Sequence, residues 1–140
     1  MKHYSFEDIK TGISESFKVK ITSDMMDSFR TISGDINPLH NDKEFAIEYG
    51  FDDRVVYGML TSSFLSTLAG VYLPGEKSLI HEVEVKFKKP VFVDDELTIK
   101  GEVSEIYTAF KVFIMKVTIT NQNGEKVLRG SMRIGFLEHI

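Results

Sequence analysis

The sequence predicts an α+β protein in which a strongly curved antiparallel sheet wraps one buried helix, and three observations carry that prediction. From Leu79 onward, apolar and charged residues alternate over four segments, as strands with one covered face do. From Val55 to Gly75 there are 21 residues without a charge, nine of them Gly, Ser, Thr or Pro. That stretch is too polar for a lipid-facing helix, which excludes a membrane span, yet it needs covering by protein on most sides. No repeat, linker or low-complexity run divides the 140 residues, so they are read as a single domain, 1–140. A chain of this length can bury about two thirds of its unfolded surface, enough for a core without staples.

Taken in order, the first element is a strand over 14–21, where Phe17, Val19 and Ile21 alternate with Ser16, Lys18 and Lys20. Thr22 or Ser23 can then cap a helix reaching Ile32, with Met25, Met26, Phe29 and Ile32 at helical spacing and Gly34 as its end. A second short helix follows Asn41, whose position three residues before Glu44 resembles a capping box, and Gly50 terminates it. The uncharged helix runs from Gly58 to Gly70, closed by Pro74 and Gly75. The next strand sets Leu79, His81, Val83, Val85 and Phe87 on an apolar face, and Pro90 marks a bend or an edge. Further strands fit 96–106, 110–120 and 126–137, with Asn123-Gly124 as the last hairpin turn. The apolar phase slips between Ile114 and Met115, which predicts a bulge in the strand from Phe110.

Charge and composition remove several function classes. The 17 Lys and Arg stand against 21 Asp and Glu, a net of -4, and no stretch concentrates the positive ones, which argues against nucleic-acid binding. Cysteine is absent, so disulfides, thiolate zinc sites and cysteine nucleophiles are all excluded. Met1 to Lys20 contains no apolar core of a signal peptide, and the expected location is cytoplasmic.

The stretch Ser33-Gly34-Asp35-Ile36-Asn37-Pro38-Leu39-His40 carries the chemistry. Residues five apart lie about 140° apart on a helix and on opposite faces of a strand, so only a tight loop lets Asp35 meet His40. Gly34 and Pro38 supply one: Gly admits backbone angles others avoid, and Pro pushes Asn37 out of the helical region. A carboxylate beside an imidazole is an acid and base pair able to share one water. The same residue types are also the commonest turn formers, with Asp35 or Asn37 bonding local amides. A metal site is not expected, because three or four convergent ligands are not evident.

At these positions the chain resembles a known family. Phe29, Ile32-Ser33-Gly34-Asp35, Asn37-Pro38-Leu39-His40 and Ala46 look like the hydratase 2 signature of the MaoC-like dehydratases, the (R)-specific enoyl-CoA hydratases. The likeness continues through Arg54-Val55-Val56-Tyr57-Gly58-Met59-Leu60-Thr61. The resemblance implies a hot-dog fold, a homodimer or dimer of dimers, and thioester substrates on coenzyme A or acyl carrier protein with no cofactor. It implies Asp35 and His40 as the catalytic pair, supported by Asn37, Ser33 and Gly34. Tyr57 departs from many relatives, which carry His there. Asp94-Asp95 stands where Gly-Asp is frequent, which affects only a turn.

Hydration of an enoyl thioester also needs stabilisation of an enolate oxygen. Gly58 opens the buried helix, where free amides and the positive dipole end face outward, and its lack of a side chain admits a thioester oxygen. Close helix packing is the other use for a glycine there. Tyr57, Met59 and Lys86 are expected to touch substrate, Lys86 with Lys88 and Lys89 through coenzyme A phosphates or an acidic carrier. His81 reads as a core or interface histidine, and Thr61 to Ser63 lacks the second histidine of a nucleophile triad. The expected function is therefore reversible syn hydration of a trans-2-enoyl thioester. A hot-dog thioesterase and a non-catalytic acyl-thioester-binding module are the alternatives.

Overall fold

The structure, a computed structural model, describes residues 1–140. After a single 3-10 turn at Phe6–Asp8 come β1 (Ser14–Lys20), α1 (Ser23–Ser33), α2 (Pro38–Asn41), α3 (Lys43–Glu48) and α4 (Gly58–Thr67). Then follow β2 (Ser78–Phe87), β3 (Glu96–Tyr107), β4 (Val112–Thr120) and β5 (Lys126–Phe136). The strands form one antiparallel five-stranded sheet in the order β1-β3-β4-β5-β2, so β1 and β2 are its edges.

Alternation sorts the sheet into two faces. Leu97, Ile99 and Val103 of β3, Phe113, Met115, Val117 and Ile119 of β4, and Leu128, Met132 and Ile134 of β5 point inward. They meet Leu60, Leu65, Leu68 and Ala69 from α4 and its continuation in one apolar cluster. The approach is close enough to dictate a glycine: a Cβ at Gly101 would stand 2.9 Å from Leu68 Cδ2 and 2.4 Å from Met115 Sδ. A curved sheet packed on one central helix is the hot-dog arrangement. No helix is long and apolar enough to cross a membrane.

The helix caps explain where the early elements start and stop. Thr22 Oγ1 accepts the Met25 amide at 3.2 Å, and Gly34, at φ 72°, ends α1 in the left-handed region. Asn41 is not the cap predicted for the next helix. Pro38 already begins a short helix after Asn37, and the N-cap of α3 is Asp42, whose Oδ1 accepts the Phe45 amide at 3.2 Å. The uncharged helix extends beyond its expected end, through a π-helical turn at Leu68–Tyr72.

Two bulges correct the predicted strand phases. The extra residue opposite Ile114 and Met115 belongs to β3, not β4: Val103 pairs with Met115 and Glu105 with Ile114, leaving Ser104 over. Ser104 Oγ donates to the Ile114 carbonyl at 3.3 Å. In β2 the register shifts between Ile80 and Glu82, which removes His81 from the apolar face. His81 is exposed and its ring covers Gly135, where a Cβ would be 2.7 Å from it. The apolar face of β2 is then Ile80, Val83, Val85 and Phe87, and it is only partly covered within the chain: Val85 packs against the core, but Ile80, Val83 and Phe87 are 36%, 47% and 54% exposed. The side of α4 bearing Met59, Ser63 and Ser66 is open as well.

Candidate active site

The bend between α1 and α2 is built almost wholly from side chains bonding nearby backbone. Ser33 Oγ donates to the Phe29 carbonyl at 2.7 Å and accepts the Asp35 amide at 3.1 Å. Asp35 Oδ1 accepts the Asn37 amide at 3.0 Å, and Asn37 Oδ1 accepts the Leu39 amide at 2.9 Å, capping α2. Gly34 supplies the left-handed turn that lets the chain leave α1. Turn formation therefore accounts for Asn37, Ser33, Gly34 and one oxygen of Asp35. Asp35 Oδ2 has no hydrogen-bond partner in the chain, and the residue is exposed.

His40 is held from the other side. Its Nδ1 lies 2.7 Å from the Val55 carbonyl. A carbonyl can only accept, so Nδ1 carries the proton and a neutral ring has its lone pair on Nε2. No ion pair within 4.0 Å joins the Asp35 carboxylate to the imidazole.

A network that the sequence did not announce ties these two residues together. Tyr57 is 2% exposed, and its hydroxyl donates to the Asp35 carbonyl at 2.6 Å. The same oxygen accepts from Asn41 Nδ2 at 3.1 Å. Asn41 also donates to the Asn37 carbonyl at 2.8 Å and accepts from Arg30 Nη1 at 2.9 Å. The Tyr57 ring lies between Phe29, 4.9 Å away, and the His40 ring, 4.2 Å away and stacked. Tyr57 thus faces the back of the bend: its ring stacks on His40 and its hydroxyl bonds the Asp35 carbonyl.

His40 opens onto a cleft of about 330 Å³. Phe51, Val56, Phe87, Val91 and Val127 make its walls apolar, while Gly58 and Thr61 present the first turn of α4 to it. The Gly58 amide has no intrachain acceptor, as expected for the first residue of a helix. Close packing is one use of this glycine, because a Cβ there would stand 2.9 Å from Phe87 Cε1. Lys88 and Lys89 border the cleft, and Lys89 is paired with Glu125.

Two expected contacts fall elsewhere. Met59 is 64% exposed and does not line the cleft, since it projects from the open side of α4. Lys86 alternates with Phe87, so it points to the outer face of the sheet, in a shallow depression with Lys116, Lys126 and Arg129. Asp35, Ser33, Gly34 and Asn37 form the exposed bend beside His40 and do not line the cleft themselves. Of the residues missed, Asn41 and Arg30 carry only a weak sequence signal, being polar positions beside an otherwise apolar helix face. The Val55 carbonyl carries none.

Fold and site together define a hot-dog domain with a polar bend at an apolar cleft, and comparison with known proteins gives its family. The family model described as MaoC like domain matches residues 5–125, and the chain belongs to this family. It is 32% identical over 126 residues to the (R)-specific enoyl-CoA hydratase of Aeromonas caviae, covering 90% of this chain and 94% of that one. It is 34% identical over 101 residues to the 3-hydroxybutyryl-CoA dehydratase of Methylorubrum extorquens, where the match spans 72% of this chain and 64% of the relative's length. Among solved structures, the (R)-hydratase from A. caviae involved in PHA biosynthesis superimposes with a TM-score of 0.89 at 30% identity, over 94% of this chain and 99% of that one.

Proposed function

We propose that this chain is an (R)-specific enoyl-CoA hydratase, a hydro-lyase that reversibly adds water to a trans-2-enoyl thioester to give the (R)-3-hydroxyacyl thioester. The observation that carries the reading is the bend. It leaves Asp35 with one unbonded carboxylate oxygen and His40 with its Nε2 lone pair, on one rigid loop beside an apolar cleft. The names of similar proteins support the same chemistry.

In this reading Asp35 and His40 act as one acid and base unit on one water. Its oxygen bonds to the β-carbon, one of its protons passes to the pair, and the α-carbon receives a proton from the pair on the same face. Atoms balance as H and OH added across the double bond. The reaction is redox-neutral, and the reading calls on no cofactor. Electron density displaced onto the thioester oxygen is met by the Gly58 amide at the head of α4. Asn37, Ser33 and Gly34 hold the bend in shape.

A homodimer belongs to the same reading. The chain exposes 8203 Å², whereas the scaling law expects about 7,400 Å² for a compact monomer of its mass. The excess is matched by uncovered apolar residues on an edge strand, Ile80, Val83 and Phe87, and by Ile32 and Met59. An open, apolar sheet edge is a surface that proteins cover. A role in fatty acid metabolism and a thioester on coenzyme A or on a carrier protein belong to the same reading, and a cytoplasmic location is proposed with them.

Incubation of the purified protein with crotonyl-CoA tests the function. Loss of enoyl absorbance without release of thiol, giving the (R)-3-hydroxy product, is the expected result. Thiol release would mean a thioesterase, and no reaction with any enoyl thioester would mean a binding module.

A further inference from the structure

The first turns of α4 carry three consecutive hydroxyl residues, and they are not treated alike. Ser62 Oγ donates to the Gly58 carbonyl at 2.9 Å, and Ser63 Oγ donates to the Leu60 carbonyl at 2.6 Å. This back-bonding is how a helix hydroxyl is satisfied in an apolar setting. Thr61 is the most buried of the three, 2% exposed, and its Oγ1 makes no hydrogen bond at all. It is the only buried side-chain nitrogen or oxygen in the protein left without a partner. An unsatisfied buried hydroxyl is destabilising, so its presence in a compact core asks for a use.

Its location suggests what that use is. Thr61 borders the cleft together with His40 and Gly58. It follows Gly58 by three residues, which places the two on one face of α4, and helical side chains lean toward the N-terminus, carrying the Thr61 side chain toward the Gly58 amide. Rotation about χ1 moves the hydroxyl between staggered positions, so an entering polar atom decides where it points. Apart from His40 and the bordering Lys88 and Lys89, the cleft walls are mainly apolar, and the polar atom that a plain enoyl group brings past them is its thioester carbonyl oxygen.

We propose that the Thr61 hydroxyl is the second donor to the thioester oxygen, acting with the Gly58 amide to stabilise the enolate. This assignment rests on the hydratase reading. It gives the orphan hydroxyl an acceptor only when substrate is bound, and most strongly when the oxygen carries charge, so its effect falls on turnover more than on binding.

Thr61→Val keeps the shape and removes the donor, while Thr61→Ser keeps the donor and loses a methyl group. With crotonyl-CoA, Thr61→Val is expected to lower kcat about 10- to 100-fold with KM changed less than about threefold. Thr61→Ser should stay within about threefold of the wild type. The Tm of Thr61→Val should not fall below the wild-type value, because the change removes an unpaired polar group from the core. A Thr61→Val protein turning over at the wild-type rate overturns the assignment. So does a loss shared equally by the serine variant, which would make Thr61 a packing residue. A wild-type protein that hydrates no enoyl thioester defeats the hydratase reading instead.

Discussion

Replacing Tyr57 by phenylalanine isolates the contribution of a single oxygen to the geometry of the bend. The ring, 2% exposed and stacked on His40, stays. The change deletes the 2.6 Å bond to the Asp35 carbonyl and the 3.1 Å bond from Asn41 Nδ2. Neither former partner is left stranded, since Asn41 Nδ2 keeps the Asn37 carbonyl at 2.8 Å and Asp35 is exposed to water. The stability loss is therefore the net value of a hydrogen bond or two, about 1–2 kcal/mol, or about 3–8 °C in Tm. The activity loss should be larger than that figure suggests. The Asp35 carbonyl is held only by this oxygen and a weak 3.5 Å contact from Asn41, while its amide is held by Ser33 Oγ at 3.1 Å, and a displacement near 1 Å can cost up to about 10² in rate. Turnover of crotonyl-CoA by Tyr57→Phe should fall at least about tenfold with KM little changed. Thermal unfolding of the same sample reports the stability term. Wild-type turnover combined with the expected fall in Tm would refute the reasoning, because the hydroxyl would then serve the core alone.

Gly130→Ala should unfold or severely destabilise the protein, by more than about 2 kcal/mol in denaturant titration, because its Cβ would stand 1.9 Å from the Glu84 carbonyl oxygen across the β2–β5 pair. Gly58→Ala should lower kcat/KM for crotonyl-CoA while changing stability by less than about 1 kcal/mol: the clash at 2.9 Å is with the exposed Phe87 ring, which can swing, but it swings in the cleft wall. The Glu125 carboxyl is held below its ordinary pKa by the hydrogen bond from Lys89, aided by Asn121 and by the Lys89 charge. A lowered folded-state pKa gives stability that is present above the unfolded value and lost as pH falls through the folded one. Lys89→Met should therefore move the Glu125 titration, followed by NMR, back toward higher pH.

Much of the fold was legible because its signals are periodic. The alternation in β1, β3 and β5 and the uncharged run of α4 both survive in the structure with ends shifted by a few residues. Bulges defeated the rest: Ser104 and His81 each add a residue that alternation cannot register, so His81 left the apolar face and the slip near Met115 fell on the neighbouring strand. The bend was legible in outline from Gly34 and Pro38, whose backbone restrictions are local. What stands behind it was not, because Tyr57 meets Asp35 across 22 positions of sequence and His40 meets the Val55 carbonyl across 15. The opposed directions of Lys86 and Phe87 follow from alternation, but which direction faced the cleft depended on where α4 lies. The orphan state of Thr61 Oγ1 is likewise a property of packing, invisible until the neighbouring serines were seen to be satisfied.

The most direct test of the account is the single-turnover rate of crotonyl-CoA hydration by Asp35→Asn and His40→Gln, each compared with the wild type after circular dichroism has shown it folded. Both variants should lose at least about 10² in rate, as removal of a general acid or base does. A folded variant of either kind that hydrates the substrate as fast as the wild type would contradict the claim that these two side chains activate the attacking water.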